Sequence, residues 1–357
     1  MNRLQRWVTL GAMENWGPVR ARQFVEAAGS LDRAWAKIRR HHAGFQSAYQ
    51  RANSALDMQE KEGYWAISWE DPSYPRRWRT WRDAPLAIFG RGEKASWNHR
   101  KFVAIVGTRK CCEASARISF QTSQTLSQSG IGIASGLALG IDAAAHRGSL
   151  YNQGTTLACL GHGLDRMYPK RHQGLANAMV SNGGTLLTEH LMGTGPARWH
   201  FASRNRLVVG LSEAVVLIQS PAKGGAMISA ELAVESGVDL WVYRPPDYAA
   251  RWAGNWALLE AYPEAAWSHP EQLMERLGVF SKRAIADDEE ALQKELRPLW
   301  RALVGTSGCQ AEELARVLNE SMEAIQGKLF MLELQGKVER LSGGWFVPLI
   351  SAWGHRA

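Results

Sequence analysis

Five short segments in the middle of this 357-residue chain carry the residue types that hold phosphates and stack bases. After the apolar run Phe102–Val106 stands Gly107-Thr108-Arg109-Lys110, a small residue, a hydroxyl and two cations. At a strand-to-helix turn such a segment offers backbone N–H groups, a helix dipole and charge-assisted bonds to one phosphate. The second segment is Ser135-Gly136-Leu137-Ala138-Leu139-Gly140-Ile141-Asp142, leading into Ala143-Ala144-Ala145-His146. The third is Gly161-His162-Gly163-Leu164-Asp165, then Tyr168-Pro169-Lys170-Arg171-His172. Phe201-Ala202-Ser203-Arg204-Asn205-Arg206 and Lys223-Gly224-Gly225-Ala226 complete the set. Loops at the carboxyl ends of strands share one edge of an open α/β sheet. That edge gathers Arg109, Lys110, Lys170, Arg171, Arg204 and Arg206 beside Phe201. Cations that track a backbone, with an aromatic platform, describe a groove for single-stranded nucleic acid. His146 reads as a hydrogen-bonded structural histidine in preference to a base, and Asp142 as a cap of the helix carrying it.

Enzyme chemistries with stricter patterns find little support. No G-x-G-x-x-G follows Phe102–Val106, and the sequence holds no Walker A segment, nucleophile elbow or zinc signature. No carboxylate pair has usable spacing. The expectation is therefore no catalytic residue, no metal and no cofactor.

The elements that would position these loops alternate short apolar runs with longer amphipathic stretches. The runs Phe102–Val106, Ile131–Ala134, Thr155–Leu160, Thr185–Thr188, Ala214–Gln219 and Asp239–Tyr243 suit strands buried on both faces. Most gaps between them leave room for a crossover helix. A parallel α/β sheet with helices on both faces follows. Ahead of it, residues to about Ser54 read as short helices around Gly17-Pro18, either a helix-hairpin-helix or SAM-like module or a plain packing domain. Residues 55 to 101 read as a basic aromatic connector in which Arg76-Arg77-Trp78-Arg79-Thr80-Trp81-Arg82 interleaves arginine with tryptophan. That run suits phosphates and bases, or is a solvated segment whose tryptophans dock on the next domain. After Ser281 and an acidic patch at Asp287–Glu290, three helices (Ala291–Leu303, Ala311–Asn319, Ser321–Gln335) and a hairpin with a Gly343-Gly344 turn predict a winged helix. The expected domains are 1–60, 61–280 and 281–357.

Composition bounds the class. Hydrophobic residues make up 45% and charged residues 21%, ordinary values for a folded chain. Net charge is +8, concentrated in residues 1–101, which hold 18 basic and 10 acidic side chains. Residues 281–357 hold 10 basic and 11 acidic. The basic excess favours an anionic partner, but not through the winged helix, whose third helix sets one Lys328 against Glu323 and Glu333. Sixteen tryptophans fall in two groups, Trp7–Trp97 and Trp199–Trp353, and read mostly as packing residues. The four cysteines form no C-x-x-C pair, no apolar run is long enough to span a bilayer, and the N-terminus lacks a signal-peptide h-region. A reduced, cytoplasmic protein with no membrane contact is expected.

From about Asp71 to Arg244 the sequence resembles the DNA-processing protein A family (DprA, also called Smf). The resemblance rests on Val103-Ala104-Ile105-Val106-Gly107-Thr108-Arg109, on Ser135-Gly136-Leu137-Ala138 with Gly140-Ile141-Asp142 and Ala145-His146, and on Gly161-x-Gly163-Leu164-Asp165 leading to Tyr168-Pro169. It continues through Phe201-x-x-Arg204-Asn205-Arg206 and Gly210-Leu211-Ser212. The resemblance implies an extended Rossmann-like domain that binds single-stranded DNA, forms a homodimer and helps load the RecA recombinase during natural transformation. It also implies that Arg109 contacts phosphate, that Lys170 or Arg171 adds a cation, and that Phe201 and Asn205 line a base pocket. The chain departs from the family pattern at Leu139, where arginine is usual, and at Gly224-Gly225-Ala226, where Ser-Gly-Ser is usual. Pro245-Pro246 replaces Pro-Gly, and Cys111-Cys112 replaces a more polar stretch. The rival readings are a nucleotide phosphoribohydrolase-like enzyme or nucleotide sensor, from Ser220–Glu231, and a protein-only scaffold.

Overall fold

Asn2 opens α1 (Arg3–Gly11) by accepting a bond from the Gln5 N–H, at 2.8 Å, a standard way to satisfy a first-turn amide. Pro18 starts α2 (Pro18–Ala27), and Ser30 caps α3 (Leu31–His41) through the Arg33 N–H. Helix α4 (Phe45–Lys61) completes this head. The computed structural model describes residues 2–278, 288–304, 309–340 and 344–348. Residue contacts divide the chain into two compact units, Met1–Pro270 and Glu271–Ala357.

The first unit is built on a nine-stranded sheet in the order β1-β2-β6-β5-β4-β3-β7-β8-β9. The strands are β1 (Trp65–Ser68), β2 (Ala87–Gly92), β3 (Phe102–Val106), β4 (Gly132–Ser135), β5 (Thr156–Cys159), β6 (Thr185–Thr188), β7 (Ala214–Leu217), β8 (Asp239–Tyr243) and β9 (Ala266–Trp267). All of β3 to β9 pair in parallel, and β3 through β7 are buried along their whole length, so the apolar runs were strands covered on both faces. The crossovers are α5 (Glu113–Gln128), α6 (Ile141–Tyr151), α7 (Gln173–Ser181), α8 (Arg198–Leu211) and α9 (Gly225–Glu235), followed by α10 (Ala253–Ala261). The mixed α/β, Rossmann-like fold is as the sequence predicts.

The stretch read as a connector does more than connect. Helix α4 runs past Ser54 to Lys61, and two strands extend the sheet, β2 antiparallel to β6 and β1 antiparallel to β2. Trp65–Ser68 lies between Lys61-Glu62 and Glu70-Asp71, and β2 ends in Gly90-Arg91-Gly92, so a reading by apolar runs passed over both. The arginine–tryptophan run packs inward. Trp78 is buried and donates its indole N–H to the Leu207 carbonyl, at 3.1 Å. Tyr74 donates its hydroxyl to the Pro85 carbonyl, and Arg77 pairs with Glu213 at 2.7 Å. Of the two readings of this run, docking tryptophans is the one the fold adopts.

The head packs on this extension, with Val8 and Ala52 against Ala87 and Phe89, and Trp7 and Leu10 in one cluster with Leu86.

The second unit has helices Arg297–Val304, Ala311–Leu318 and Met322–Leu334 and a three-stranded antiparallel sheet, β10 (Cys309–Gln310), β12 (Trp345–Pro348) and β11 (Val338–Arg340) in that order. Leu299, Trp300, Leu314, Ile325, Leu329 and Leu332 form its core. β10 went unpredicted because two residues carry no alternation. Gly343 of the expected turn and Asp287 of the acidic patch lie outside the described residues.

Candidate nucleic-acid interface

The sheet order reverses between β3 and β7, which leave their crossovers on opposite sides. At such a point the loops splay and open a crevice beyond the carboxyl ends of the strands. Here the loop after β3 meets the loop after β7, the Thr108 N–H donating to the Gln219 carbonyl at 2.8 Å. The crevice is a groove of about 770 Å³ lined by Gly107, Thr108, Arg109, Lys110, Gly136, Phe201, Arg204 and Asn205 among the expected residues.

Arg109 and Phe201 form its mouth. The exposed Arg109 guanidinium lies 5.2 Å from the centroid of the half-buried Phe201 ring. That distance is within the range of a cation–π contact, which fixes the guanidinium plane while leaving its N–H groups to reach outward. Tyr168 continues the aromatic surface, 47% exposed with its ring 5.4 Å from Phe201. Gly161 makes room beneath: a Cβ there would come within 2.9 Å of the Phe201 ring. Asn205 donates its side-chain amide to the Gly225 carbonyl at 3.1 Å, tying α8 to the start of α9 across the groove.

Arg204 belongs to the floor. It is 3% exposed and donates to the Gly136 carbonyl at 2.6 Å and to the Cys159 carbonyl. A Cβ on Gly136 would meet this guanidinium at 2.3 Å, so the close approach requires glycine. Asp142 accepts from the Gly136 and Ala138 N–H groups, and so shapes the loop; it does not cap the helix. Burial pushes the Asp142 carboxyl upward, opposed by the nearby Arg204 charge. Both charges are thus spent on the architecture of the second glycine loop.

Other expected residues also sit elsewhere. Arg206 points away from the groove into ion pairs with Glu189, at 2.7 Å, and Asp83, at 2.8 Å. Five residues beyond Phe201, about 140° around the helix, its side chain leaves α8 on a different flank. Ser135 is buried and donates to the Ile105 carbonyl. Gly163 is buried beside Asp165 and Leu191, while Lys170 and Arg171 are exposed in the turn after Tyr168, outside the groove lining. His146 is fully buried, its Nδ1 2.6 Å from the Thr156 hydroxyl, and burial holds it down at about 3. That is the structural histidine of the favoured reading.

The groove also has contributors that the sequence reading left out of its site. Arg198 lines it one turn before Phe201, Ser220 lines it from the loop after β7, and Lys223, named in the fifth segment but not among the gathered cations, lines it from the same loop. Arg198 was legible as a cation at i−3 from an aromatic, on one helix face. Among the described residues, no ion pair engages Arg109, Lys110, Arg198 or Lys223. Four cations without an ion pair therefore line the groove that holds the Phe201 ring.

Residues 65–278 match the family model described as DNA recombination-mediator protein A, and residues 283–344 match the DprA winged helix domain. The chain belongs to the DNA recombination-mediator protein A family. Protein Smf of Synechocystis is 33% identical over 252 residues, which cover 66% of this chain and 63% of that protein. Among solved structures, DNA processing protein A (DprA) of Streptococcus pneumoniae aligns with a TM-score of 0.63 and 27% identity, over 76% of this chain and 95% of that one. DprA of Helicobacter pylori, reported for a unique single-stranded DNA binding mode, aligns at 0.54 and 28%, over 60% and 95%.

Against the DprA pattern, Leu139 sits half-buried in the loop ahead of α6, where an arginine would add a cation close to the groove. Gly224 and Gly225 line the groove at the start of α9, and nothing comes closer than 4.0 Å to a Cβ built on either. The usual serines fall at Gly224, where that space is open, and at Ala226, which is buried.

Proposed function

We propose that the chain binds single-stranded DNA in the β3/β7 groove and, as a cytoplasmic homodimer, assists loading of the RecA recombinase on that strand. The observation that carries the DNA part is the Arg109 guanidinium set over the Phe201 ring. This sets a phosphate ligand beside a base platform. The uncommitted Lys110, Arg198 and Lys223 supply further neutralisation along a strand. The homodimer and RecA roles rest on family membership. Co-sedimentation with RecA on a coated strand tests the second, and sedimentation equilibrium the first. The division at 1–60, 61–280 and 281–357 belongs to the same proposal, with the middle segment as the DNA-binding part.

A splayed strand can lay bases on Phe201, whereas a duplex keeps them stacked. Single strands are therefore expected to bind more tightly than duplex of equal length, with affinity falling as salt rises. Titration of both at two salt concentrations checks this, and equal or better duplex affinity at moderate salt would defeat the reading.

The winged helix adds no attraction. Lys328 on its third helix is paired with Glu320 at 2.6 Å, and that helix exposes Phe330 and Leu334 beside its glutamates. Truncation after Ser281 is expected to leave single-strand affinity within about threefold, under ~0.7 kcal/mol. A tenfold loss with the first unit still folded would make the tail a DNA module.

The enzymatic reading gains nothing from the site. Glu231 is exposed and does not line the groove, where the carboxylate among the described lining residues is Asp142, already bound to two amides.

A further inference from the structure

Helix α8 separates two cavities. At about 100° per residue, positions 199 and 201 lie roughly 200° apart around a helix, on opposite flanks. Phe201 and Asn205 face the groove described above, whereas Trp199 and Arg206 face a second cavity of about 740 Å³. Its remaining walls come from the head, through Trp7 and Trp16, from β2 and from the residues after β6.

The chemistry of this cavity differs from that of the groove. Arg206 is neutralised by Glu189 and Asp83, so among the described residues no spare cation lines it. The His190 Nε2 is buried without a hydrogen-bond partner among those residues, its ring 4.2 Å from that of His200. Burial holds His190 down at about 4, so at neutral pH it is uncharged and Nε2 has one bond left to make. Trp199, at the rim, is 72% exposed. Aromatic walls from Trp7, Trp16 and Trp199, an uncharged His190 and no free charge suit an uncharged planar heterocycle, and disfavour a phosphate.

The N-terminus of α8 stands between the two cavities. Ala197 supplies no side-chain cap, which leaves first-turn N–H groups for an anion, and Arg198 lies beside them.

We propose that a bound single strand straddles the N-terminus of α8, with one base on Phe201 and a second base in the other cavity, stacked on Trp199. The intervening backbone runs past the free α8 amides and Arg198. This second base site rests on the single-strand reading of the first groove and extends it into a path.

The test uses the full chain and a labelled thymidine strand of about 20 nucleotides, longer than one such site. Trp199→Ala is expected to weaken binding about tenfold, the scale of one stacked base, without changing the salt slope. Trp199→Phe should restore most of the affinity. An abasic strand of equal length should bind Trp199→Ala and the native chain alike. If Arg109→Ala weakens binding while Trp199→Ala stays within twofold, the second site is absent and the first reading stands. Equal loss on the abasic strand would likewise overturn the base assignment. If the native chain binds no single strand, both fall together.

Discussion

Arg204→Met is expected to destabilise the first unit by about 3–5 kcal/mol, the scale of removing one partner from a buried charged network. The substitution nearly preserves volume, so little of the loss comes from a cavity. It removes the donors to the Gly136 and Cys159 carbonyls and the positive charge near Asp142. Two buried carbonyls then lack their partner, and Asp142 loses its counter-charge while still holding the glycine loop. The measurement is a urea midpoint, with the m-value checked for constancy. A second readout separates structure from binding. Where the variant remains folded, the slope of log affinity against log salt should match that of the native chain, because this cation neutralises no phosphate. Unchanged stability, or a slope reduced by one counterion, would move Arg204 out of the floor and back among the DNA ligands.

The double variant Arg109→Ala/Phe201→Ala should lose about 100-fold or more in single-strand affinity, roughly 2.8 kcal/mol. Each single change contributes about 1–3 kcal/mol, Arg109 as a charge-assisted phosphate bond and Phe201 as a base platform. The two act on different observables. Arg109→Ala should flatten the salt dependence by roughly one counterion, and Phe201→Ala should leave it alone. Because the guanidinium rests on the ring, the changes are not independent. A double-mutant cycle should show a coupling of about 0.5–1 kcal/mol, the worth of an exposed cation–π pair. If both singles bind like the native chain while folding normally, the groove is not the DNA site.

Sequence by itself determined the elements whose signal is local. Apolar runs such as Val103–Val106 and Ala214–Leu217 can only be strands covered on both faces, and Ser30 before Leu31 caps a helix wherever that helix goes. The glycine loops and the order of the motifs located the working edge of the sheet for the same reason, since carboxyl-end loops of a parallel sheet must share it. What only the tertiary structure decided is which charges are free. Arg109, Arg204 and Arg206 carry the same guanidinium, yet Arg109 is left at the groove mouth, Arg204 is consumed by two carbonyls and Arg206 by two carboxylates. Those partners lie far away in sequence, from Asp83 to Cys159 and Glu189, and composition or spacing cannot reveal which are in reach. The tryptophans of residues 69–81 went inward on the same grounds. A ring that suits a base suits a core equally well, and only the neighbouring Leu207 carbonyl and the β1–β2 extension settled its direction. Spacing along a chain fixes the face of a helix; the availability of a side chain depends on what the fold brings against that face.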